Sequence, residues 1–342
     1  METSVFERIR GGLQEKRQVL TDFLQETPVV KKQVRLGTVN ESEVQEQLQV
    51  IDAALEKTED RTLGVCEVCH GYVESGLLEM DYTACVCLDH LSDIEKRQLE
   101  SELELSQVVY KAMLPQQLPM IPGADLAVFS QPAQILGGDY FDFFQFRDGS
   151  HGFAIADIAG HGVSASILLA SMQTALRTWI PESNSPAEVI EHLNNFFLHN
   201  IHFTTFVTLF LGRFDPATHL LTYSNAGHNP PLLLRKAPGD NEPAWLRPTG
   251  PSVGLVEEFH VTEQAIKLSS GDCLLVYTDG VTEATNERFE EFGMQGLAAN
   301  ILEAADLPAR DMIQSLRRSL NTFTNAQPLA DDTTMLAFKI VA

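Results

Sequence analysis

Six aspartates of this chain stand where hydrophobic runs meet turns rich in glycine or threonine. Asp139 and Asp142 lie in Gly137-Gly138-Asp139-Tyr140-Phe141-Asp142, and Asp157 in Ala156-Asp157-Ile158-Ala159-Gly160-His161-Gly162. Asp279 follows Tyr277-Thr278, and Asp331 and Asp332 precede Thr333-Thr334. Carboxylates fixed at strand ends and converging in one place repel one another unless a cation neutralises them. Mg2+ or Mn2+ is the natural partner, because hard oxygen donors and retained waters suit both ions. Two such ions can activate a shared water and hold phosphate oxygens for in-line attack. The expectation is one metal site assembled by the fold from turns nearly two hundred residues apart.

A second set of ligands is of softer chemistry. Cys66-Glu67-Val68-Cys69 is followed by Cys85-Val86-Cys87-Leu88-Asp89-His90. Cys66, Cys69, Cys87 and His90 supply the four donors of a tetrahedral Zn2+. Cys85 competes with Cys87, but only Cys87 to His90 repeats the spacing of Cys66 to Cys69. A stretch this short buries too little apolar surface to fold unaided, so the ion would supply folding energy.

Elements able to position these groups are visible in the hydrophobic pattern. Residues 3 to 27 and a stretch from about 40 to 55 read as two amphipathic helices joined into a hairpin. Another helix is expected from Leu91 to Met113, ended by Pro115. Short apolar strands then take over: Leu126 to Ser130, Gly152 to Ile158, Phe206 to Phe214, His219 to Ser224, Pro231 to Leu234, Cys273 to Thr278 and Met335 to Ile340. Helices are expected at Ser164 to Trp179, Pro186 to His199, Met294 to Leu302 and Pro308 to Phe323. Strands follow one another without helices between 205 and 278, which predicts an α+β sandwich of antiparallel sheets rather than a doubly wound parallel sheet.

Composition narrows the partners. The 342 residues carry 47 acidic against 24 basic side chains, a formal net charge of −23. That balance argues against nucleic acid as the main ligand. No run of eighteen apolar residues predicts a membrane span, and the start lacks the pattern of a signal peptide. Four of the five cysteines fall between Cys66 and Cys87, a metal cluster of a reducing compartment rather than a disulfide framework. The expected location is the cytoplasm.

Two resemblances can be attached to these residues. The hairpin, Leu63-Gly64-Val65-Cys66-Glu67-Val68-Cys69 and the second ligand pair resemble the TraR/DksA-type zinc finger. Members of that family insert an acidic hairpin tip into RNA polymerase. The tip here, Val29 to Thr38, is basic and lacks Asp and Glu, so a structural or oligomerisation role is expected instead. The four acidic stretches, with Phe206-Val207-Thr208-Leu209-Phe210 and Asn225-Ala226-Gly227-His228-Asn229-Pro230-Pro231, make six matches in order that resemble the PPM-type metal-dependent serine/threonine phosphatases. Within them they are similar to the bacterial branch typified by SpoIIE and RsbU.

That second resemblance implies a β-sandwich flanked by helices, holding two Mn2+ or Mg2+ ions. It implies Asp139, Asp157, Asp279, Asp331 and the Ile158 carbonyl as ligands, with Asp142 and Asp332 as supporting or additional ones. Asp157, Asp279 and Asp331 would carry catalysis, an activated water attacking phosphoserine or phosphothreonine directly. The implied substrate is a phosphorylated STAS-domain anti-sigma-factor antagonist. His161 is a candidate acid for the leaving oxygen, whereas His228 reads as a hydrogen-bonded core or turn histidine. The chain offers no obvious Arg to clamp phosphate, so metal binding alone is expected to hold it. The expected organisation is a helical hairpin at 1–62, a zinc finger at 63–92, a linker helix at 93–118 and a phosphatase domain at 119–342. A homodimer through the N-terminal helices is expected. The competing readings are a catalytically weak phosphatase-fold scaffold and a zinc-finger transcription regulator.

Overall fold

The computed structural model describes residues 9–11, 13–14, 17–18, 20–21, 41–73, 78, 82–159, 162–200, 206–236, 243–327 and 330–341. The chain divides into two compact units, Met1–Leu105 with His199–Thr204, and Ser106–Leu198 with Thr205–Ala342.

In the first unit, helical residues between 9 and 21 set Ile9 and Leu13 against Ile51 and Ala54 of α1 (Glu41–Glu59). The same small core takes in Leu63, Cys66, Val73, Leu78 and Cys87. Arg17 and Asp52 pair across the two helices at 2.5 Å. The basic tip from Val29 to Thr38 lies outside the described residues. Helix α2 (Asp93–Met113) opens on a capping box, with Ser92 Oγ 3.3 Å from the Glu95 amide. The Glu95 carboxylate reaches back to the Ser92 amide at 2.8 Å. This reciprocal pair satisfies two donors that a helix start leaves open.

The second unit is built on two five-stranded antiparallel sheets. One runs β1 (Ala124–Gln131), β10 (Thr333–Ile340), β9 (Cys273–Tyr277), β6 (Leu232–Leu234), β7 (Ala244–Trp245). The other runs β2 (Asp139–Gln145), β3 (His151–Ile158), β4 (Val207–Asp215), β5 (Leu220–Ala226), β8 (Gln264–Lys267). The expected α+β sandwich is therefore the fold. Alternation along β9 explains its layers. Leu274 and Val276 enter the core between the sheets with Phe153, Phe210, Leu336 and Phe338. Cys273, Leu275 and Tyr277 face the other way, against Leu297 and Ile301 of α6 (Gly293–Glu303) and Met312 and Leu316 of α7 (Ala309–Phe323). Helices α3 (Val163–Trp179) and α4 (Pro186–Asn200) follow β3. The Phe153 and Phe338 rings stack at 5.0 Å between centroids and tie the sheets together.

Strand β2 corrects the sequence reading, which took these residues for an acid-rich turn. Asp139, Tyr140, Phe141 and Asp142 are all buried, so both faces are covered and no alternation marks the strand. Helix α5 (Asp279–Thr282) and the short strands β7 and β8 were also absent from that reading. Among the described residues no helix is long and apolar enough to cross a membrane.

Candidate metal centres

Asp139 opens β2 and pairs across the ladder with Asp157, the penultimate residue of β3. Directly opposed residues of an antiparallel pair share a face, so these two carboxylates crowd one another. Asp139 is 2% exposed. Burial, and then the charge of Asp157, holds its carboxyl well above the usual range. Its Oδ2 accepts a hydrogen bond from Thr278 Oγ1 at 2.7 Å. Asp157 is pushed up to about 7, first by burial and then by Asp279, Asp331, Asp332 and Glu283.

Asp279 begins α5 immediately after β9 and Thr278. Burial, followed by the charges of Asp331 and Glu283, lifts it to about 6. A Cβ on Gly280 would lie 2.1 Å from the Asp332 carbonyl oxygen. Only glycine lets the Asp279 turn approach the Asp331-Asp332 turn so closely. Asp332 is tied to backbone amides of the loop before Asp139. Its Oδ1 accepts from the Ala133 amide at 2.7 Å and its Oδ2 from the Gly138 amide at 2.5 Å. It thereby fixes the loop leading into Asp139. Ile158 closes β3, its amide donating to the Gly138 carbonyl at 3.3 Å.

Asp142 departs from the expected set. It lies three residues beyond Asp139, and alternation turns it to the opposite face of β2. There Tyr140 Oη donates to Oδ2 at 2.7 Å and the Phe143 amide to Oδ1 at 2.8 Å. Arg177 of α3 donates through Nε at 2.8 Å and Nη2 at 3.2 Å. Its oxygens are committed to this network, so Asp142 anchors α3 to the sheet instead of reaching for the acids around Asp157. The sequence reading missed Arg177 because the pair spans 35 residues. It also missed Glu283, Thr278 and Tyr110, whose buried hydroxyl donates to the Asp139 carbonyl at 3.4 Å. His161 lies outside the described residues.

Among the described residues of the first unit, Cys66, Cys69, Cys87 and His90 present ligand atoms all within 4.8 Å of one another. The Sγ atoms of Cys69 and Cys87 are 3.9 Å apart, and Cys66 Sγ is 3.9 Å from His90 Nδ1. A tetrahedral Zn2+ with ~2.3 Å bonds to sulfur sets ligands roughly 3.8 Å apart, so the donor set fits that ion. The Cys87 amide points at Cys66 Sγ at 3.4 Å. The backbone amides of Cys87 and Cys69 lower the Cys66 thiol to about 6. Burial, then Cys66 and Cys69, pushes Cys87 up to about 11. Cys85 stands outside the cluster.

The acid donors fit hard divalent ions by their chemistry. Asp139, Asp157 and Asp279 are raised by burial and then by the charges of neighbouring acids, and a cation offsets both.

Residues 147–341 match the family described as Stage II sporulation protein E (SpoIIE). The match takes in Asp157, Asp279, Asp331 and Asp332 and begins beyond Asp139 and Asp142. The phosphoserine phosphatase RsbU of Bacillus subtilis (strain 168) is 28% identical over 247 residues, 71% of each chain. The phosphoserine phosphatase RsbP of the same organism is 25% identical over 242 residues, 69% of this chain and 57% of RsbP. Among solved structures, the RsbU and RsbW domains of Rv1364c from Mycobacterium tuberculosis align with a TM-score of 0.57 and 27% identity. That alignment covers 67% of this chain and 63% of the other. The SiaA-PP2C domain of Pseudomonas aeruginosa shares the fold, with a TM-score of 0.64 and 19% identity over 72% of this chain and 98% of that domain.

Proposed function

Because the chain belongs to the SpoIIE family, we propose that it is a metal-dependent protein serine/threonine phosphatase acting on a phosphorylated STAS-domain anti-sigma-factor antagonist. The observation that carries this reading is the convergence of Asp139, Asp157 and Asp279 with Asp331 at one end of the sandwich. Asp139, Asp157, Asp279, Asp331 and the Ile158 carbonyl would hold two Mn2+ or Mg2+ ions. Bound there, such ions supply a water acidified to near neutral pH and charge to neutralise phosphate oxygens.

The chain's own residues do the positioning. Thr278 orients the Asp139 carboxylate from one sheet toward the other. Asp332 fixes the loop that carries Asp139, and so acts as a supporting group. Arg177 is engaged by Asp142 and is not a phosphate clamp. Substrate phosphate would then be held by ions at Asp139, Asp157, Asp279 and Asp331. Phosphoserine specificity accords with the names of RsbU and RsbP, and the STAS substrate with the branch that the motifs resemble. In the first unit, Cys66, Cys69, Cys87 and His90 would hold one structural Zn2+, in a module that dimerises through its helices. Its hairpin and ligand order resemble the TraR/DksA finger, and the whole would act in the cytoplasm.

The test is manganese-dependent hydrolysis of an aryl phosphate and of a phosphorylated STAS protein. Chelator and Asp279→Asn should each abolish it. Activity indifferent to both overturns the metal assignment, and inactivity on every phosphoprotein substrate favours the scaffold.

A further inference from the structure

The motif Asn225-Ala226-Gly227-His228-Asn229 builds a rigid seat for one imidazole. Asn225 Oδ1 accepts from the His228 amide at 2.8 Å, and Asn225 Nδ2 donates to the His228 carbonyl at 3.1 Å. Gly227 takes φ +66, and a Cβ there would lie 2.1 Å from Ser252 Oγ. The ring so held is 1% exposed, and burial pushes it down to about 3. It is neutral, and a neutral imidazole carries one N–H and one lone pair.

The partners decide which nitrogen carries the hydrogen. Nε2 has no partner in full hydrogen-bond geometry, and the Tyr277 carbonyl is the backbone group that acts on the ring. A carbonyl only accepts, and with Nδ1 turned to Thr208 it favours hydrogen on Nε2. Nδ1 is then a lone pair, and it lies 2.8 Å from Thr208 Oγ1. In that tautomer the Thr208 hydroxyl donates to it.

Thr208 is the residue across β4 from Asp157, as Asp139 is across β2. A hydroxyl on the same face as a carboxylate would ordinarily give it a hydrogen, as Thr278 does to Asp139. We propose that His228 is a positioning residue that draws the Thr208 hydrogen away from Asp157, leaving both oxygens of that carboxylate free for a cation. The Thr208 oxygen then presents only lone pairs toward Asp157, able to accept from water there. The inference rests on the metal reading of Asp157 given above.

The test is calorimetric titration of the full chain with Mn2+, with 15N shifts of the His228 ring in the metal-free protein as a second readout. The ring should carry its hydrogen on Nε2. His228→Leu frees the Thr208 hydroxyl and should weaken Mn2+ binding at least fivefold. His228→Asn, which keeps an acceptor near the Nδ1 position, should recover most of that loss. Thr208→Val/His228→Leu should bind like Thr208→Val alone, because no hydroxyl remains to compete. Hydrogen on Nδ1, unchanged affinity in His228→Leu, or additive losses in the double variant each overturn the proposal by itself. Wild-type chain that takes up no Mn2+ overturns the metal reading and the proposal together, a distinct outcome. The wild-type ring shifts decide the tautomer even if His228→Leu fails to fold.

Discussion

Asp139 and Asp157 oppose each other directly across the β2–β3 ladder, two acids where a sheet ordinarily places attractive pairs. Like charges in that position destabilise a sheet, and here Asp279 and Asp331 add to the same field. The fold gives up stability at this end of the sandwich, and a divalent cation bound there would recover it. The two states of the site, protonated and metal-bound, should therefore be separable by pH.

Carboxyls raised in the folded state bind protons there that the unfolded chain has released. Asp157 at about 7 and Asp279 at about 6, against 3.8 for an ordinary aspartate, make the chelated protein lose stability as pH climbs from about 4 to 7. Mn2+ binds the deprotonated site and restores stability increasingly over the same range. Thermal unfolding in chelator should show the melting temperature of the wild type falling more steeply with pH than that of Asp157→Asn/Asp279→Asn. Parallel curves would show that these carboxyls are not raised.

Asp142 and Arg177 make a contrasting prediction. Asp142 is 2% exposed, and Arg177 is its cationic partner. Arg177→Ala leaves that buried carboxylate with its Tyr140 and Phe143 hydrogen bonds but no counter-charge, at a cost of about 3 kcal/mol. Mn2+ affinity should stay unchanged, because Asp142 lies on the far face of β2. A large loss of Mn2+ binding with little loss of stability would return Asp142 to the metal site.

The reach of the sequence follows from what each interaction depends on. Asp157 and Asp279 could be found because a buried strand ends at each, and a turn after an apolar run is a local pattern. Cys66, Cys69, Cys87 and His90 could be found because two short spacings dictate which side chains meet. Strand β2 was hidden because burial on both faces erased its alternation. The Asp142–Arg177 pair, the Tyr110 contact to Asp139 and the Thr278 bond to Asp139 span 35, 29 and 139 residues. Nothing in local spacing announces such contacts. The resemblance already gives Asp142 a supporting role beside Asp139, and the pleat supplies the physical reason by turning it to the other face.

The zinc reading turns on which cysteine is the third ligand. Cys87 Sγ stands 2.9 Å from His90 Nδ1, whereas Cys85 is raised by burial and by the neighbouring Glu67. Metal analysis should find one zinc per chain in wild type and in Cys85→Ser, and none in Cys87→Ser. Loss of zinc in Cys85→Ser would overturn the assignment.

Gly280 offers the sharpest test of how the second unit assembles its acids. The two acidic turns meet backbone to backbone, with the Asp332 carbonyl oxygen 2.1 Å and its carbon 3.0 Å from where a Cβ would stand. No side-chain rotation can relieve that contact, so Gly280→Ala must move one turn by about 1 Å, a displacement that costs on the order of 100-fold in a positioned reaction. Overpacking of this kind removes about 2 kcal/mol of stability. Thr333 Oγ1, 3.1 Å from the same point, closes the third direction of escape. Phosphatase turnover should fall about 100-fold and Mn2+ affinity should fall with it, since Asp279 and Asp331 would no longer face one site. The alanine variant should still fold, because the cores on either side of β9 are untouched. Wild-type turnover and Mn2+ affinity in Gly280→Ala would mean that the two turns need not meet for the site to work.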